Sequence, residues 1–81
     1  MNPQSIADLI RAALPDSRVQ VRSDDHVHYE AVVITPAFAG KRLVARHQMV
    51  YAALGPRMGN EIHAMALQVL TPEEAARSGM D

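Results

Sequence analysis

Apolar residues in this chain switch repeatedly between helical and alternating spacing, and the order of the switches restricts it to folds that combine helices with a sheet. Ile6, Leu9, Ile10, Ala13 and Leu14 recur at three- and four-residue steps. Asn2 is suited to cap that stripe, Pro3 to open it and Pro15 to stop it, which predicts a first helix. Val19-Gln20-Val21-Arg22 alternates, Ser23-Asp24-Asp25 has turn chemistry, and 27–34 resumes as a β-branched run. Together they predict a hairpin whose second strand, apolar on both faces in its later half, is central. Residues 35–40 break the pattern and lead to a helix over about 41–54. Leu43, Val44, Val50, Tyr51 and Leu54 are expected on its buried face, with Lys41, Arg42, Ala45 and Gln48 mostly away from it. Gly55-Pro56 ends it. The stretch 62–70 is rich in Ala, Met and Leu, for which propensity alone favours a helix. Thr71-Pro72-Glu73-Glu74 is a capping box with proline at the first helical position, so a brief last helix follows.

At 81 residues the chain makes a single domain spanning 1–81, with an ordered core expected over about 3–77. Small domains often add disulfides to a modest core, but this one has no cysteine, hence no thiolate metal site and no nucleophilic thiol of its own. That usage fits a reducing cytoplasm. No apolar run approaches the ~20 residues of a membrane helix, and the first residues lack a signal-peptide pattern, so a soluble cytoplasmic protein is expected.

The net charge of −1 is unevenly spread. Residues 31–60 carry Lys41, Arg42, Arg46 and Arg57 with no acid, while the segments on either side are acidic. A basic middle in a near-neutral protein points to a local anionic contact rather than to strong nonspecific nucleic-acid affinity.

Three separated motifs stand in order: Phe38-Ala39-Gly40, then Arg46-His47 with Val50-Tyr51 four and five residues after the arginine, then Ile62-His63-Ala64. Over roughly residues 5–75 the chain thereby resembles the BolA family, small proteins that partner monothiol glutaredoxins in iron–sulfur and iron handling. The resemblance makes 62–70 a third strand against its helical propensity. The implied fold is α+β, two-layered, in the order α-β-β-α-β-α, with helices on one face of a three-stranded mixed sheet, similar to the type II KH arrangement.

A strand-helix-strand connection within one sheet normally makes its two strands parallel, so their N-terminal ends share one end of the sheet. His28 opens the second strand and His63 the third. The resemblance indicates the same pair: His28 falls at the family's hairpin-loop histidine or cysteine, and His63 is the histidine of Ile-His-Ala. In the family these positions are implicated in completing a [2Fe–2S] cluster, with a glutaredoxin cysteine and a glutathione cysteine on the other side. Imidazoles replace thiolates on one iron of Rieske clusters, so the chemistry has a precedent. No cluster is expected in the isolated protein. His26 reads first as a turn residue and His47 as a structural residue at the rim of the helix–sheet contact, each a secondary candidate ligand.

Lys41, Arg42 and Arg46 are candidates for contact with glutathione carboxylates, an acidic partner rim or nucleic acid. No Ser-His-acid set, carboxylate pair or phosphate loop occurs, so an enzyme is not expected. The leading expectation is an interaction protein that forms a heterodimer with a monothiol glutaredoxin. The alternative is a KH-like nucleic-acid-binding transcriptional regulator, against which stand the missing Gly-x-x-Gly clamp and the scarcity of aromatic stacking residues.

Overall fold

The computed structural model describes residues 1–62 and 64–79. Helix α1 (Pro3–Ala13) begins where Asn2 accepts the backbone N–H of Ser5 at 2.8 Å, a cap worth about 1 kcal/mol. Strands β1 (Arg18–Arg22) and β2 (His28–Ile34) form the antiparallel hairpin, with Val19 opposite Val33 and Arg22 opposite Glu30. A 3-10 turn (Pro36–Phe38) leads to helix α2 (Leu43–Leu54), and a second such turn (Gly55–Arg57) follows it. Strand β3 (Ala64–Leu70) then pairs parallel to β2, from His28 opposite Ala64 to Ile34 opposite Leu70. The sheet order is β1-β2-β3, a mixed sheet with β2 central. Helix α3 (Pro72–Arg77) starts at the capping box: Thr71 Oγ1 accepts from Glu74 N–H, and the Glu74 carboxylate accepts from Thr71 N–H.

Alternation decides the two faces of the sheet. Val19, Tyr29, Val33 and Val69 turn inward and pack with Ile6 and Ile10 of α1, Val50 and Leu54 of α2, and Phe38 and Ile62. Gln20, Glu30, Ala66 and Gln68 lie on the opposite, exposed face. Among the described residues no helix is long and apolar enough to cross a membrane.

Tertiary packing revises three expectations. Helix α2 starts at Leu43 rather than Lys41, with Arg42 at its N-cap. Ile62 sits in an isolated bridge to Met58, so β3 begins at Ala64. The buried face of α2 is Arg46, Val50 and Leu54, while Leu43 and Val44 are 64% and 70% exposed. Leu43 is exposed as the first residue of the helix, and Val44 is turned outward because Arg46 occupies a core position. That is tolerable only because each of its guanidinium nitrogens has a partner. Its Nε donates to Lys41 O at 2.9 Å, and its Nη1 donates to Val69 O at 3.1 Å and to Glu74 Oε1 at 2.6 Å. Its Nη2 reaches Glu74 Oε2 at 3.3 Å, and the guanidinium carbon stands 5.8 Å from the centre of the Phe38 ring.

Candidate functional site

The parallel pairing of β2 and β3 gives the sheet two unlike ends. At the N-terminal end the hairpin loop is tied by short side chains to its own backbone. Ser23 Oγ accepts the N–H of His26 at 2.9 Å and lies 2.6 Å from the carbonyl of His28, to which it donates. Asp25 Oδ1 accepts the N–H groups of both Val27 and His28, each at 2.9 Å. His26 takes a left-handed conformation at φ 59°, which costs a non-glycine residue roughly 1–2 kcal/mol. Its carbonyl accepts from the buried Tyr29 hydroxyl at 2.8 Å, and that hydroxyl also lies against the carbonyl of Met1. Burial, followed by the negative charges of Asp25 and Glu61, raises the pKa of the Tyr29 phenol.

His28 follows directly from this loop. Its side chain is 70% exposed, and its Nδ1 lies 2.9 Å from Asp25 Oδ2. The Asp25 carboxyl is held well below the ordinary carboxylate range, first by this contact and then by the backbone N–H groups of His28 and Val27. Nε2 of His28 has no hydrogen bond among the described residues. A shallow hollow beside the ring is lined by Arg22, Asp25, Glu30, Ala64 and Ala66, and Arg22 and Glu30 neutralise each other at 2.8 Å.

The remaining candidates are distributed differently from expectation. His63 lies outside the described residues, although its chain neighbour Ala64 is the residue in register with His28. His26 sits at the loop tip as a turn residue. His47 lies on α2 with its ring edge-on to Tyr51, centroids 6.1 Å apart. Arg46 is corrected: at 8% exposure, with its donors committed to Lys41, Val69 and Glu74, it belongs to the core and is not a contact residue of the basic helix face. Lys41 and Arg42 are exposed, but they follow the C-terminal end of β2. The seven residues of β2 separate that end from His28 by roughly 20 Å. Among the described residues no group of three His, Cys, Asp or Glu side chains converges as a metal site.

Two residues that matter were not singled out from the sequence. Glu74 gave no signal beyond its place in the capping box. Asp25 did: an aspartate two and three residues before backbone N–H groups it can accept is the pattern of an Asx turn.

A family model described as BolA-like protein matches residues 10–74. The chain is 33% identical over 81 residues to an uncharacterized protein of the rpoN–murA intergenic region of Acinetobacter guillouiae, covering 99% of this chain and 96% of that one. It is 40% identical over 47 residues to the DNA-binding transcriptional regulator BolA of Haemophilus influenzae, covering 58% of this chain and 46% of the relative, so it spans about half that protein's length. Its structure is similar to that of a bolA protein homologue from Coxiella burnetii, with a TM-score of 0.84, 40% identity, and coverage of 95% of this chain and 99% of that one. A motif order, a mixed three-stranded sheet and a family match over most of the chain lead to one conclusion: the protein belongs to the BolA family.

Proposed function

We propose that this protein acts by binding, as the partner of a monothiol glutaredoxin in the cytoplasm, and that the pair forms around one [2Fe–2S] cluster. His28 and His63 would serve as its ligands on this side, with glutaredoxin and glutathione thiolates on the other. The observation that carries this reading is the exposed His28 imidazole, held at one nitrogen by a carboxylate and without a partner at the other. A metal-ligating histidine characteristically has its second nitrogen bonded to a carboxylate or carbonyl, and imidazole is a known ligand to one iron of such clusters. The cluster supplies iron–sulfur cargo for transfer or sensing, and the chain supplies imidazole donors and a docking surface.

Anaerobic mixing with a glutathione-loaded monothiol glutaredoxin tests the proposal, read by visible absorption and circular dichroism and by iron content across size exclusion. The expected result is a one-to-one complex with a spectrum unlike that of the glutaredoxin alone. His28→Ala should keep the fold and weaken the complex more than tenfold, and His63→Ala should do so more than His26→Ala. A tightly bound cluster in the isolated chain, or no iron retained by the mixture, would sink the idea.

DNA binding is a second reading, favoured by the exposed Lys41 and Arg42 and by the description of the Haemophilus influenzae relative. With Arg46 withdrawn into the core, the basic surface is smaller than its sequence indicates, and this reading ranks behind the first.

A further inference from the structure

We infer that Asp25 is a positioning residue that fixes His28 in its Nδ1–H tautomer and so presents Nε2 as the ligand atom. The inference rests on the proposed ligation by His28 but specifies which nitrogen binds and what selects it.

A neutral imidazole carries one ring proton, and the partner of one nitrogen decides where that proton resides. An ionised carboxylate oxygen only accepts, so the 2.9 Å contact between Asp25 Oδ2 and His28 Nδ1 requires the proton on Nδ1. Nε2 then bears the free lone pair.

The carboxylate is not free to turn away. Its other oxygen, Oδ1, accepts two backbone N–H groups at 2.9 Å, so rotating the group to release Nδ1 breaks both. Ser23 holds the same loop through the N–H of His26 and the carbonyl of His28. Arg22, the nearest cation lining the hollow, is occupied by Glu30 and does not compete for Asp25. Side-chain exposure of 70% leaves the far side of the ring facing outward. In the neutral ring the hairpin loop thus presents Nε2 as the lone-pair nitrogen before any metal arrives.

Asp25→Asn is a one-atom test. Its amide oxygen can keep the Oδ1 bonds to Val27 and His28, whereas the amide nitrogen in place of Oδ2 donates and cannot accept. His28 must then offer a lone pair at Nδ1 and move its proton to Nε2.

Long-range ¹H–¹⁵N correlation on the isolated labelled chain at about pH 8, above the ordinary imidazole pKa near ~6.5, reads the tautomer directly. The expected result is Nδ1–H in the native chain and Nε2–H in Asp25→Asn, with an unchanged far-ultraviolet spectrum. Carboxylates that orient metal-binding histidines typically contribute about 10–100-fold in affinity, and Asp25→Asn should weaken the cluster-bridged complex by that factor.

An Nε2–H tautomer in the native chain overturns the inference, and that measurement needs neither a variant nor a partner. An Nδ1–H tautomer with undiminished cluster binding by Asp25→Asn, while His28→Ala abolishes binding, also overturns it but leaves ligation by His28 standing. No effect of His28→Ala on the complex sinks the ligation reading itself.

Discussion

At the C-terminal end of β2 and β3 a cation is buried and its bonds are made inside the protein; at the N-terminal end an imidazole stands exposed with one nitrogen held and the other open. Arg46 reaches backbone carbonyls in the loop before α2 and on β3, and the carboxylate of Glu74 on α3. Among the described residues the His28 ring hydrogen-bonds only to Asp25, three residues away. Among the described residues no buried side-chain nitrogen or oxygen lacks a partner. An arginine satisfied from several elements holds a small fold together, whereas a histidine satisfied from one side by its own turn is prepared to meet something else. Charge in the sequence is therefore a poor guide to which side chains stay available at the surface.

The largest effect separating the two ends is expected from Arg46→Ala. It strips Lys41 O and Val69 O of a donor and leaves Glu74 without its cation, a loss on the order of 3 kcal/mol, measured by urea unfolding. In a domain whose net stability is roughly 3–5 kcal/mol, that approaches complete unfolding. Arg46→Lys should recover only part of the loss, because an ammonium cannot reproduce the fork. A change below about 0.5 kcal/mol, the level of an ordinary surface site, would abolish the distinction between the ends.

The same network sets an acid limit. The bond from Arg46, followed by that from Thr71 N–H, lowers the Glu74 pKa from 4.5 to about 2. A carboxyl depressed in the folded state contributes stability that is fully present above its unfolded pKa and fades as pH falls from 4.5 towards 2. Glu74→Gln should flatten the stability profile across that window, and an identical slope in the variant would remove Glu74 from the account.

Next in size is the salt dependence of any DNA binding. With Lys41 and Arg42 as the exposed pair, about two phosphates are neutralised, giving a log–log slope near −1.8 and roughly a tenfold loss between 50 and 200 mM salt. Anisotropy titration against a preferred and a scrambled duplex measures it, and Lys41→Ala with Arg42→Ala should weaken both alike. Discrimination above about a thousandfold that persists at high salt would promote the regulator reading.

The smallest effect is expected at His26. His26→Gly relieves a left-handed residue at roughly 1–2 kcal/mol and costs backbone entropy of about 0.5–1 kcal/mol, so thermal unfolding should be unchanged or slightly raised. Cluster-bridged binding should persist. Loss of binding would move His26 from turn residue to ligand.

What could be read from the sequence was local. The Asn2 cap on Ser5 and the pairing of Thr71 with Glu74 are short-range arrangements whose partners stand three residues apart, and each cap forms as its residues indicate. The β2–β3 pairing came from motif order, because the composition of β3 favours a helix. The role of Arg46 was hidden, since Val69 and Glu74 lie 23 and 28 residues away along the chain. The exposure of Val44 was hidden with it: apolarity put it inward, and the face that carries Arg46 turns it out, while Leu43 is exposed at the first residue of the helix. The Asp25–His28 contact spans three residues and was legible as an Asx turn.

The Tyr29 hydroxyl, placed between the carbonyls of His26 and Met1, has a practical consequence for handling the protein. It moors the start of the chain to the hairpin loop, so anything fused ahead of Met1 emerges beside His26 and His28. A polyhistidine tag at that position would deliver competing imidazoles and chelated nickel to the loop whose own imidazoles are in question. Spectra and iron counts from such a fusion would report the tag as readily as the protein, and only material cleaved free of it gives a clean reading.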